Sequence, residues 1–382
     1  MKIALPDTNG RLTDYRLTGT PIEPAPMAPD SARVVYSAAH VVRNPFADAD
    51  PSGQAVIDWN ATMAFRAHLT GLGLGVAEAM DTAQRGMGLD WPSALELIRR
   101  TKSAFPDALV ANGCGTDHIN PANVKSLEEV KAAYLEQVEA IQAAGGRIIL
   151  MASRALARIA NGPEDYARVY EEILSACDEP VILHWLGDMF DPALAGYWGA
   201  SAFPPALDTV LGIINDNASK VDGIKISLLD AQKEIEMRRR LPAPVRMYTG
   251  DDFNYPELMA GDLTGFSHAL LGIFDPLAVH AASAVQKLSA GDESGFRAIL
   301  DPTVPLARHV FRAPTQYYKT GVVFLAWLNG HQSHFTMIGG AEAMRSLPYF
   351  VECFKQADAC GALAKPDLAI ERMQSLLRLY GA

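Results

Sequence analysis

The sequence predicts an α/β protein, a closed (β/α)8 barrel followed by a helical C-terminal extension. From residue 33 onward, short β-branched segments alternate with amphipathic segments, and each pair takes about 30 residues, as βαβ units do. Eight such pairs occur in series, which is the number that closes a parallel barrel. An open doubly wound sheet with a nucleotide site is disfavoured, because the segment "AAHVVRNP" supplies no glycine-rich turn after the first predicted strand.

The eight predicted strands are bounded by turn-forming residues and are rich in β-branched and other apolar side chains. They span residues 33–41, 75–80, 109–115, 147–153, 180–186, 222–227, 245–250 and 265–272. The clearest helix between them begins after Ser126 as N-cap, carries Glu129 three residues later and ends at Gly145. In such a barrel, reactive groups lie at the carboxyl ends of the strands.

Three regions follow from this pattern. Residues 1–32 form an N-terminal segment, residues 33–291 form the barrel, and residues 292–382 contain helical patterns without further strands. We expect the C-terminal region to cover a face of the barrel or to form an oligomer contact, so that a homo-oligomer is predicted.

Composition and charge narrow the class of partner. The formal net charge of −11 argues against nucleic acid or an anionic membrane surface, since both bind clustered lysine and arginine. No signal peptide and no apolar run of membrane-spanning length are recognisable. The four cysteines lie far apart without a CxxC pair, which is typical of reduced thiols in the cytoplasm. We therefore expect a cytoplasmic protein that binds a small molecule and needs neither a cofactor nor a metal.

A lysine interrupts the apolar strand segment "VDGIKISLLD" (221–230). Because side chains alternate along a strand, Lys225 points into the barrel, while Ile224 and Ile226 point towards the helices. Burial lowers the pKa of a lysine, and a neutral amine near pH 7 is the nucleophile of Schiff-base chemistry. The alternative is that Lys225 reaches water near the strand end and forms an ion pair with an acid such as Asp251.

Three segments together resemble the dihydrodipicolinate synthase and N-acetylneuraminate lyase superfamily of class I aldolases, in a dihydrodipicolinate-synthase-like branch. "DGIKIS" resembles the strand with the Schiff-base lysine, and "EPVILHWLGDMFDP" resembles the fifth-strand segment with the catalytic tyrosine. "YTGDDFNYPELMAGDLTGFSHALLG" resembles the Gly-Asp-Asp segment and the eighth strand of that family. The resemblance covers about residues 33–291. It implies that Lys225 forms the Schiff base and that Gly250 and Asp251 lie in the substrate site.

The sequence also departs from that family at several positions. His184 stands where the family has its fifth-strand tyrosine, and "GDMF" stands where the synthase has an arginine for aspartate semialdehyde. The family's carboxylate-binding Gly-Thr-Thr-Gly-Glu is replaced by "MDTAQRG", in which Thr82 aligns and Asp81 would repel a carboxylate. Arg154 lies in the region where a tyrosine is expected after the fourth strand. Condensation of pyruvate with aspartate semialdehyde is therefore disfavoured.

The remaining polar side chains at the predicted barrel mouth suit hydroxyl groups. The predicted substrate-binding residues are Asp81, Thr82, Asn112, Arg154, Gly250, Asp251 and His268. We expect a Schiff-base lyase or dehydratase that acts on a polyhydroxylated carbonyl compound, such as a keto sugar or keto-sugar acid. His184 is the predicted acid/base group, although a strand histidine hydrogen-bonded to a carbonyl would have the same pattern. The acids of the "GDD" segment are equally typical of a helix cap.

Two other classes stay open. Carboxylates and imidazoles at strand ends also suit a divalent ion in a barrel of the sugar-isomerase type, although no ligand-spacing motif supports one. The candidate ligands for that alternative are Glu78, Asp117, His118, His184 and His268. A barrel that binds a ligand without catalysis is the third class, and the presence of Lys225 argues against it.

Overall fold

The computed structural model describes residues Met1–Ala382, and its centre is a closed barrel of eight parallel strands. A hairpin of two antiparallel strands, Lys2–Pro6 (β1) and Leu12–Arg16 (β2), precedes the barrel. The barrel strands are Val35–Ala38 (β3), Gly75–Glu78 (β4), Val110–Cys114 (β5), Arg147–Leu150 (β6), Val181–Leu186 (β7), Val221–Ser227 (β8), Arg246–Thr249 (β9) and His268–Leu271 (β10). Each strand pairs with the next one in the chain, and β10 pairs with both β9 and β3. The predicted (β/α)8 barrel is therefore confirmed.

Nine helices accompany the barrel strands. They are Trp59–Gly71 (α1), Trp91–Ala104 (α2), Leu127–Ala143 (α3), Arg154–Ile159 (α4), Pro163–Ala176 (α5), Phe203–Asp216 (α6), Ala231–Arg240 (α7), Tyr255–Ala260 (α8) and Ala278–Ser289 (α9). Five more form the C-terminal extension: Glu293–Leu300 (α10), Val304–Val310 (α11), Tyr318–Leu328 (α12), Leu347–Ala359 (α13) and Pro366–Leu379 (α14). No helix combines the length and the apolar character that a membrane crossing requires.

Local sequence explains where α3 begins and ends. The Ser126 side chain accepts a hydrogen bond from the backbone N–H of Glu129, and the Glu129 carboxylate accepts one from the N–H of Lys125. Gly145 follows the helix with φ of +71°, a conformation that glycine adopts without steric cost. Both predicted ends of this helix are confirmed.

Alternation along β8 turns the side chains next to Lys225 towards the helices and turns Lys225 itself towards the barrel interior. Ile224 and Ile226 of β8 are buried in the layer between barrel and helices, whereas Lys225 and Ser227 point inward. The barrel interior is filled by a small apolar cluster that includes Tyr36, Ala77, Ala111, Ile149, Ile182, Tyr248 and Leu270. This packing closes the barrel below Lys225, so the inward-pointing polar groups above it meet at the carboxyl ends of the strands.

The extension shares one hydrophobic core with the barrel. Every residue of α12 is buried, and its apolar side chains join a cluster that includes Leu271 of β10 and Leu5 of β1. The Asp358 carboxylate of α13 accepts hydrogen bonds from the Tyr15 hydroxyl and the Thr18 N–H, which fixes the N-terminal segment to the extension. The helical extension is as expected, while its division from the barrel into separate domains stays a prediction.

Candidate functional site

Two adjoining cavities open at the carboxyl ends of the barrel strands, and each has a volume of about 220–230 Å³. They share the side chains of Asp81, Arg85, Arg154, Leu186 and Asp191. The first also reaches His184, and the second is lined by Lys225, Ser227, Asp252, Gly272, Tyr318 and Lys319, among others. The candidate site therefore combines strand ends of the barrel with the start of α12 in the extension.

Lys225 lies in the second cavity and is only 7% exposed. Its amine makes no hydrogen bond and no ion pair within the protein. Asp251, the acid named as a possible ion-pair partner, is engaged elsewhere, because it accepts a hydrogen bond of 2.8 Å from the Asn254 side chain, and the buried Glu78 is paired with Arg66 at 2.7 Å. The ion-pair alternative for Lys225 is therefore wrong, and the amine stands free in the cavity.

The electrostatic surroundings favour the neutral form of this amine. Burial lowers the pKa of Lys225 below its ordinary value, while the nearby charges of Asp252 and Asp81 act in the opposite direction. Burial is the larger effect. A larger fraction of this lysine is therefore neutral at a given pH than of an exposed lysine.

Gly250 makes room for the Lys225 side chain. A Cβ atom at Gly250 would lie 2.3 Å from the Ser227 Oγ, 2.6 Å from the Ile226 carbonyl oxygen and 2.8 Å from the Lys225 Cε. Any larger residue would push the lysine or the strand aside. The structure thus gives Gly250 a steric part in the site, where the sequence predicted a substrate contact.

His184 lies beside Lys225, because the two residues are register partners on β7 and β8. Its Nε2 is 3.3 Å from the Ser227 Oγ, and its Nδ1 is buried without a partner. Burial, assisted by the charge of Lys225, holds the pKa of His184 well below its ordinary value. The imidazole is therefore neutral at pH 7 and is available as a hydrogen-bond or proton acceptor.

Asp252, which the sequence did not single out, is the acid of the "GDD" segment that faces the cavity. Burial raises the pKa of Asp252 to about 7, and one carboxylate oxygen accepts a hydrogen bond of 2.8 Å from the Ile273 N–H. Asp251 instead accepts bonds from the backbone N–H groups of Phe253 and Asn254 at the start of α8. The prediction that Asp251 binds substrate is thus corrected in favour of its neighbour, because Asp251 is used as a loop and helix cap.

Asp81 lies at the mouth, whereas Thr82 is buried and lines neither cavity. The Asp81 carboxylate lines both cavities and has no hydrogen-bond partner in the protein. The Thr82 hydroxyl is 2.9 Å from the hydroxyl of Tyr318, whose ring stacks on Phe311 in the extension. The tyrosine beside Thr82 therefore comes from α12, a contact between distant parts of the chain that local sequence patterns did not reveal.

Arg154 also reaches the mouth and lines both cavities. Its Nε donates to the Asp191 carboxylate at 2.5 Å, while its two terminal nitrogens have no partner in the protein. Arg85, in contrast, is fully engaged by the Asp117 carboxylate, the Gln137 side chain and two backbone carbonyls. Lys319 of α12 is a further cation in this cavity and was not predicted.

Two of the predicted substrate-binding residues lie at the opposite end of the barrel. The Asn112 amide donates to the carbonyl of Arg147, the first residue of β6, and Asn112 lines a separate cavity there. His268 is the first residue of β10, and its Nδ1 accepts a hydrogen bond from the Val34 N–H. Asn112 is the middle residue of β5 and points away from the interior that Ala111 faces, while His268 begins its strand, so both predictions are wrong.

The side chains proposed as metal ligands are not assembled into a metal site. Glu78 is bound by both Arg66 and Thr101, and Asp117 is bound by Arg85. His118 is 3.3 Å from the Glu136 carboxylate on the outer side of the barrel mouth, and His268 lies at the opposite end from His184. The metal-dependent alternative therefore lacks the ligand cluster that it requires.

Comparison with solved structures identifies the class of barrel. A dihydrodipicolinate synthase from Thermotoga maritima superposes with a TM-score of 0.65 at 14% identity, covering 87% of this chain and 99% of that one. The enzyme from Aquifex aeolicus gives 0.61 at 12%, covering 91% and 98%. The chloride-inhibited enzyme from Acinetobacter baumannii, complexed with pyruvate, gives 0.57 at 15%, covering 76% and 89%. The chain therefore has the fold of the dihydrodipicolinate synthase-like superfamily, as the sequence resemblance predicted.

Sequence comparison gives the family. Residues 3–382 match the family described as "Protein of unknown function (DUF993)", so the chain belongs to that family over nearly its whole length. No curated protein matches the chain in sequence. The extension is included in the match, which is consistent with its place in the wall of the cavity.

Proposed function

We propose that this protein is a Schiff-base lyase or dehydratase that acts on a small polyhydroxylated carbonyl compound. The observation that carries the proposal is the free, buried amine of Lys225 in a cavity at the carboxyl ends of the barrel strands. A lysine is rarely buried without a partner or a chemical use. The fold shared with dihydrodipicolinate synthases supports the same lysine, since this strand resembles the one that carries their Schiff-base residue.

The proposed reaction begins when the neutral Lys225 amine attacks the substrate carbonyl carbon. The carbinolamine loses water and leaves an iminium ion, which withdraws electrons from the adjacent carbon. In aldol cleavage, the β-hydroxyl loses its proton, the bond between the α and β carbons breaks, and its electron pair forms an enamine. In dehydration, the α-proton is removed and the β-hydroxyl leaves as water. Where an enamine forms, protonation at its carbon returns it to an iminium ion. Hydrolysis of the iminium ion then releases the product and regenerates the Lys225 amine.

Two groups in the cavity are suited to move the protons. Asp252, with a pKa raised to about 7, can hold or release a proton near neutrality. His184 is neutral and presents an unpartnered nitrogen, so it can accept a proton from water or from a substrate hydroxyl. We assign both as acid/base candidates, with Asp252 favoured because its pKa lies closer to the working pH.

The polar groups of the cavity support a hydroxylated substrate. The free carboxylate of Asp81 can accept hydrogen bonds from hydroxyl groups, and Tyr318, whose hydroxyl pairs with that of Thr82, lines the same cavity. No arginine stands at the aspartate-semialdehyde position after His184, where the sequence has "GDMF", and this argues against dihydrodipicolinate synthesis itself. The homo-oligomer and the cytoplasmic location expected from the sequence stay predictions.

Borohydride trapping tests the proposal. The protein is incubated with ketoses and keto acids, reduced with borohydride, and mapped by peptide mass spectrometry. We expect a stable mass increase on Lys225 that is absent in Lys225→Ala, because reduction converts the iminium to a secondary amine. Turnover of a substrate by Lys225→Ala at the wild-type rate would end the proposal.

Lys225→Arg is the matched control, because it keeps the positive charge but does not deprotonate near neutrality. It should form no adduct while still binding a polyol that lacks a carbonyl group. If wild-type protein binds keto sugars and neither turns them over nor forms an adduct, the non-catalytic ligand-binding class is correct.

A further inference from the structure

Two cationic side chains share the cavity with Lys225 but come from other elements. Arg154 is the first residue of α4, after β6, and Lys319 is the second residue of α12 in the extension. The positive charge of Arg154 disfavours the charged form of Lys319, so the two groups are close enough to repel each other. Two like charges held together in a cavity indicate that a negative group belongs between or beside them.

Lys319 is buried without a carboxylate to balance it. Only 5% of the residue is exposed, and its ammonium donates to the Gln316 carbonyl oxygen at 3.2 Å and contacts the Met87 sulfur at 3.4 Å. These are weak acceptors for a charged donor. The lysine also lies in the first turn of α12, where the helix dipole disfavours a cation and no side chain caps the helix. Apart from the Tyr318 ring, whose centre lies 4.7 Å from the Lys319 Nζ, nothing in the fold balances the charge of this lysine.

The terminal nitrogens of Arg154 are available to the same cavity that Lys319 lines. Its Nε is held by Asp191, which fixes the side chain and leaves both terminal nitrogens without partners. Those nitrogens lie 3.4 Å from the position that a Cβ of Gly86 would occupy, so the guanidinium rests over a glycine. A guanidinium anchored by Nε can offer its two terminal nitrogens to carboxylate or phosphate oxygens.

The acidic side chains around this pair do not form an ion pair with Lys319, although the unpaired carboxylate of Asp81 opposes an anion in the part of the cavity that it lines. Asp191 is bound to Arg154, and Asp117 is bound to Arg85, so neither carboxylate neutralises Lys319. Asp81 is the carboxylate with the largest influence on Lys319, and it lies beyond ion-pair distance. Burial is the dominant influence and lowers the pKa of Lys319 to about 8, which leaves the amine mostly protonated at pH 7.

We propose that Lys319 and the terminal nitrogens of Arg154 bind a carboxylate or phosphate group of the substrate while its carbonyl group reacts with Lys225. The inference rests on the proposed function for the identity of the reacting group. It narrows the substrate from a polyhydroxylated carbonyl compound to an anionic one, a keto-sugar acid or a keto-sugar phosphate. Arg154 and Lys319 are then specificity-determining residues, and the extension takes part in substrate choice.

Binding of polyols tests the anion site without Schiff-base chemistry, because these probes have no carbonyl group. Calorimetry compares D-glucitol, D-gluconate and D-glucitol 6-phosphate, which carry a hydroxyl, a carboxylate or a phosphate at one end. Wild-type protein should bind one of the two anions at least about ten-fold more tightly than glucitol, since charge-assisted hydrogen bonds are at stake. Lys319→Met should remove this preference, Arg154→Gln should reduce it, and Lys287→Met, at an exposed lysine on α9, should leave it unchanged.

Borohydride trapping then compares D-fructose, D-fructuronate and D-fructose 6-phosphate, which differ in the same way. An anion preference that depends on Lys319 supports the inference even if no adduct forms on Lys225, and in that case the proposed function alone fails. Adducts on Lys225 without any preference for an anion, or a preference that survives both substitutions, would overturn the inference and leave the proposed function standing. Absence of anion binding overturns it as well. If Lys319→Met does not fold, the partly exposed Arg154→Gln decides the outcome.

Discussion

At the scale of single residues, Lys225 and Lys319 differ from the buried arginines Arg66 and Arg85. Arg66 is paired with Glu78, and Arg85 with Asp117, so their charges are balanced inside the protein. The two lysines have no carboxylate within ion-pair distance, although both are buried. Burying an unpaired charge destabilises a fold, and such a cost is tolerated where function requires it.

The pH dependence of Lys225 reactivity is the first prediction at this scale. The rate of acetylation by acetic anhydride is measured for each lysine by mass spectrometry as a function of pH. This rate should reach its plateau at lower pH for Lys225 than for the exposed Lys125, because burial lowers the pKa of Lys225. Asp252→Asn removes a negative charge that stabilises the protonated amine. The pKa of Lys225 should therefore fall further, and its profile should move to lower pH.

Lys125 in the same sample is the internal control and should keep one profile in both proteins. Coincident profiles for Lys225 and Lys125, or a shift to higher pH in Asp252→Asn, would contradict the electrostatic account of the cavity.

Gly250→Ala is the second prediction. The new methyl group would lie 2.3 Å from the Ser227 Oγ and 2.8 Å from the Lys225 Cε, so the lysine must move. We expect the rate of adduct formation on Lys225 to fall by roughly a hundred-fold, since a misplacement of about 1 Å can cost that much. Gly212→Ala is the matched control, because Gly212 lies on exposed helix α6 with nothing within 4 Å of the added carbon. An unchanged rate in Gly250→Ala would show that the strand accommodates the methyl group.

The sequence predicted side chains of the site that lie on the barrel strands or directly after them. The inward direction of Lys225 followed from alternation along β8, and its neighbour His184 followed from the resemblance on β7. The prediction for Asn112 was wrong because alternation along β5 turns this residue towards the helices, opposite to Ala111. The prediction for His268 was wrong because the strand begins at this residue, three positions later than predicted. Tyr318 and Lys319 were missed because a residue about 90 positions after the catalytic strand reaches the cavity through tertiary packing alone.

At the scale of secondary-structure elements, α12 joins the core to the site. Its eleven residues are all buried, and two of them, Tyr318 and Lys319, line the cavity. The remainder of the helix packs into the core shared with β10 and β1. The stability of this helix therefore determines where the cavity wall lies.

The third prediction tests the role of α12 in the core with the substitution Leu325→Ala. Leu325 of α12 is fully buried, so its truncation should lower the free energy of unfolding by about 2–5 kcal/mol in urea denaturation. Leu379→Ala, at an 80% exposed leucine in α14, should change it by less than about 0.5 kcal/mol. Equal effects of the two substitutions would mean that α12 is not part of the cooperative core.

The barrel strands could be predicted from the sequence, whereas the N-terminal hairpin could not. Seven of the eight predicted segments contain the observed strands, and the remaining one, 222–227, begins one residue after the start of β8, because buried parallel strands are apolar runs with β-branched residues. Strands β1 and β2 escaped notice because β2, "LTDYR", is exposed on most positions and has no apolar alternation. That hairpin is held by contacts with the extension, such as the bond from Tyr15 to Asp358, which no local pattern encodes.

At the scale of the whole molecule, the charged groups are arranged as ion pairs and free amines, and no cluster of metal ligands is formed. The fourth prediction is that exhaustive treatment with EDTA leaves adduct formation on Lys225 unchanged, because no side chain of the proposed mechanism requires a divalent ion. The measurement is adduct yield before and after chelation, with added Mg²⁺, Mn²⁺ or Zn²⁺ as controls. Loss of the adduct, restored by one of these ions, would favour the isomerase-type alternative.

The first strand of the protein packs against its last two helices, α13 and α14, and the cavity is closed by α12. During synthesis on the ribosome, the eight barrel strands emerge before any of these helices exists. Lys225 must then face water, and its amine stays protonated like that of any surface lysine until residue 319 and the helices behind it have folded into place. We expect nascent chains stalled before residue 318 to show the acetylation profile of an exposed lysine at Lys225. The low pKa of Lys225 would thus be a property of the completed chain alone, because the burial that lowers it needs the C-terminal helices.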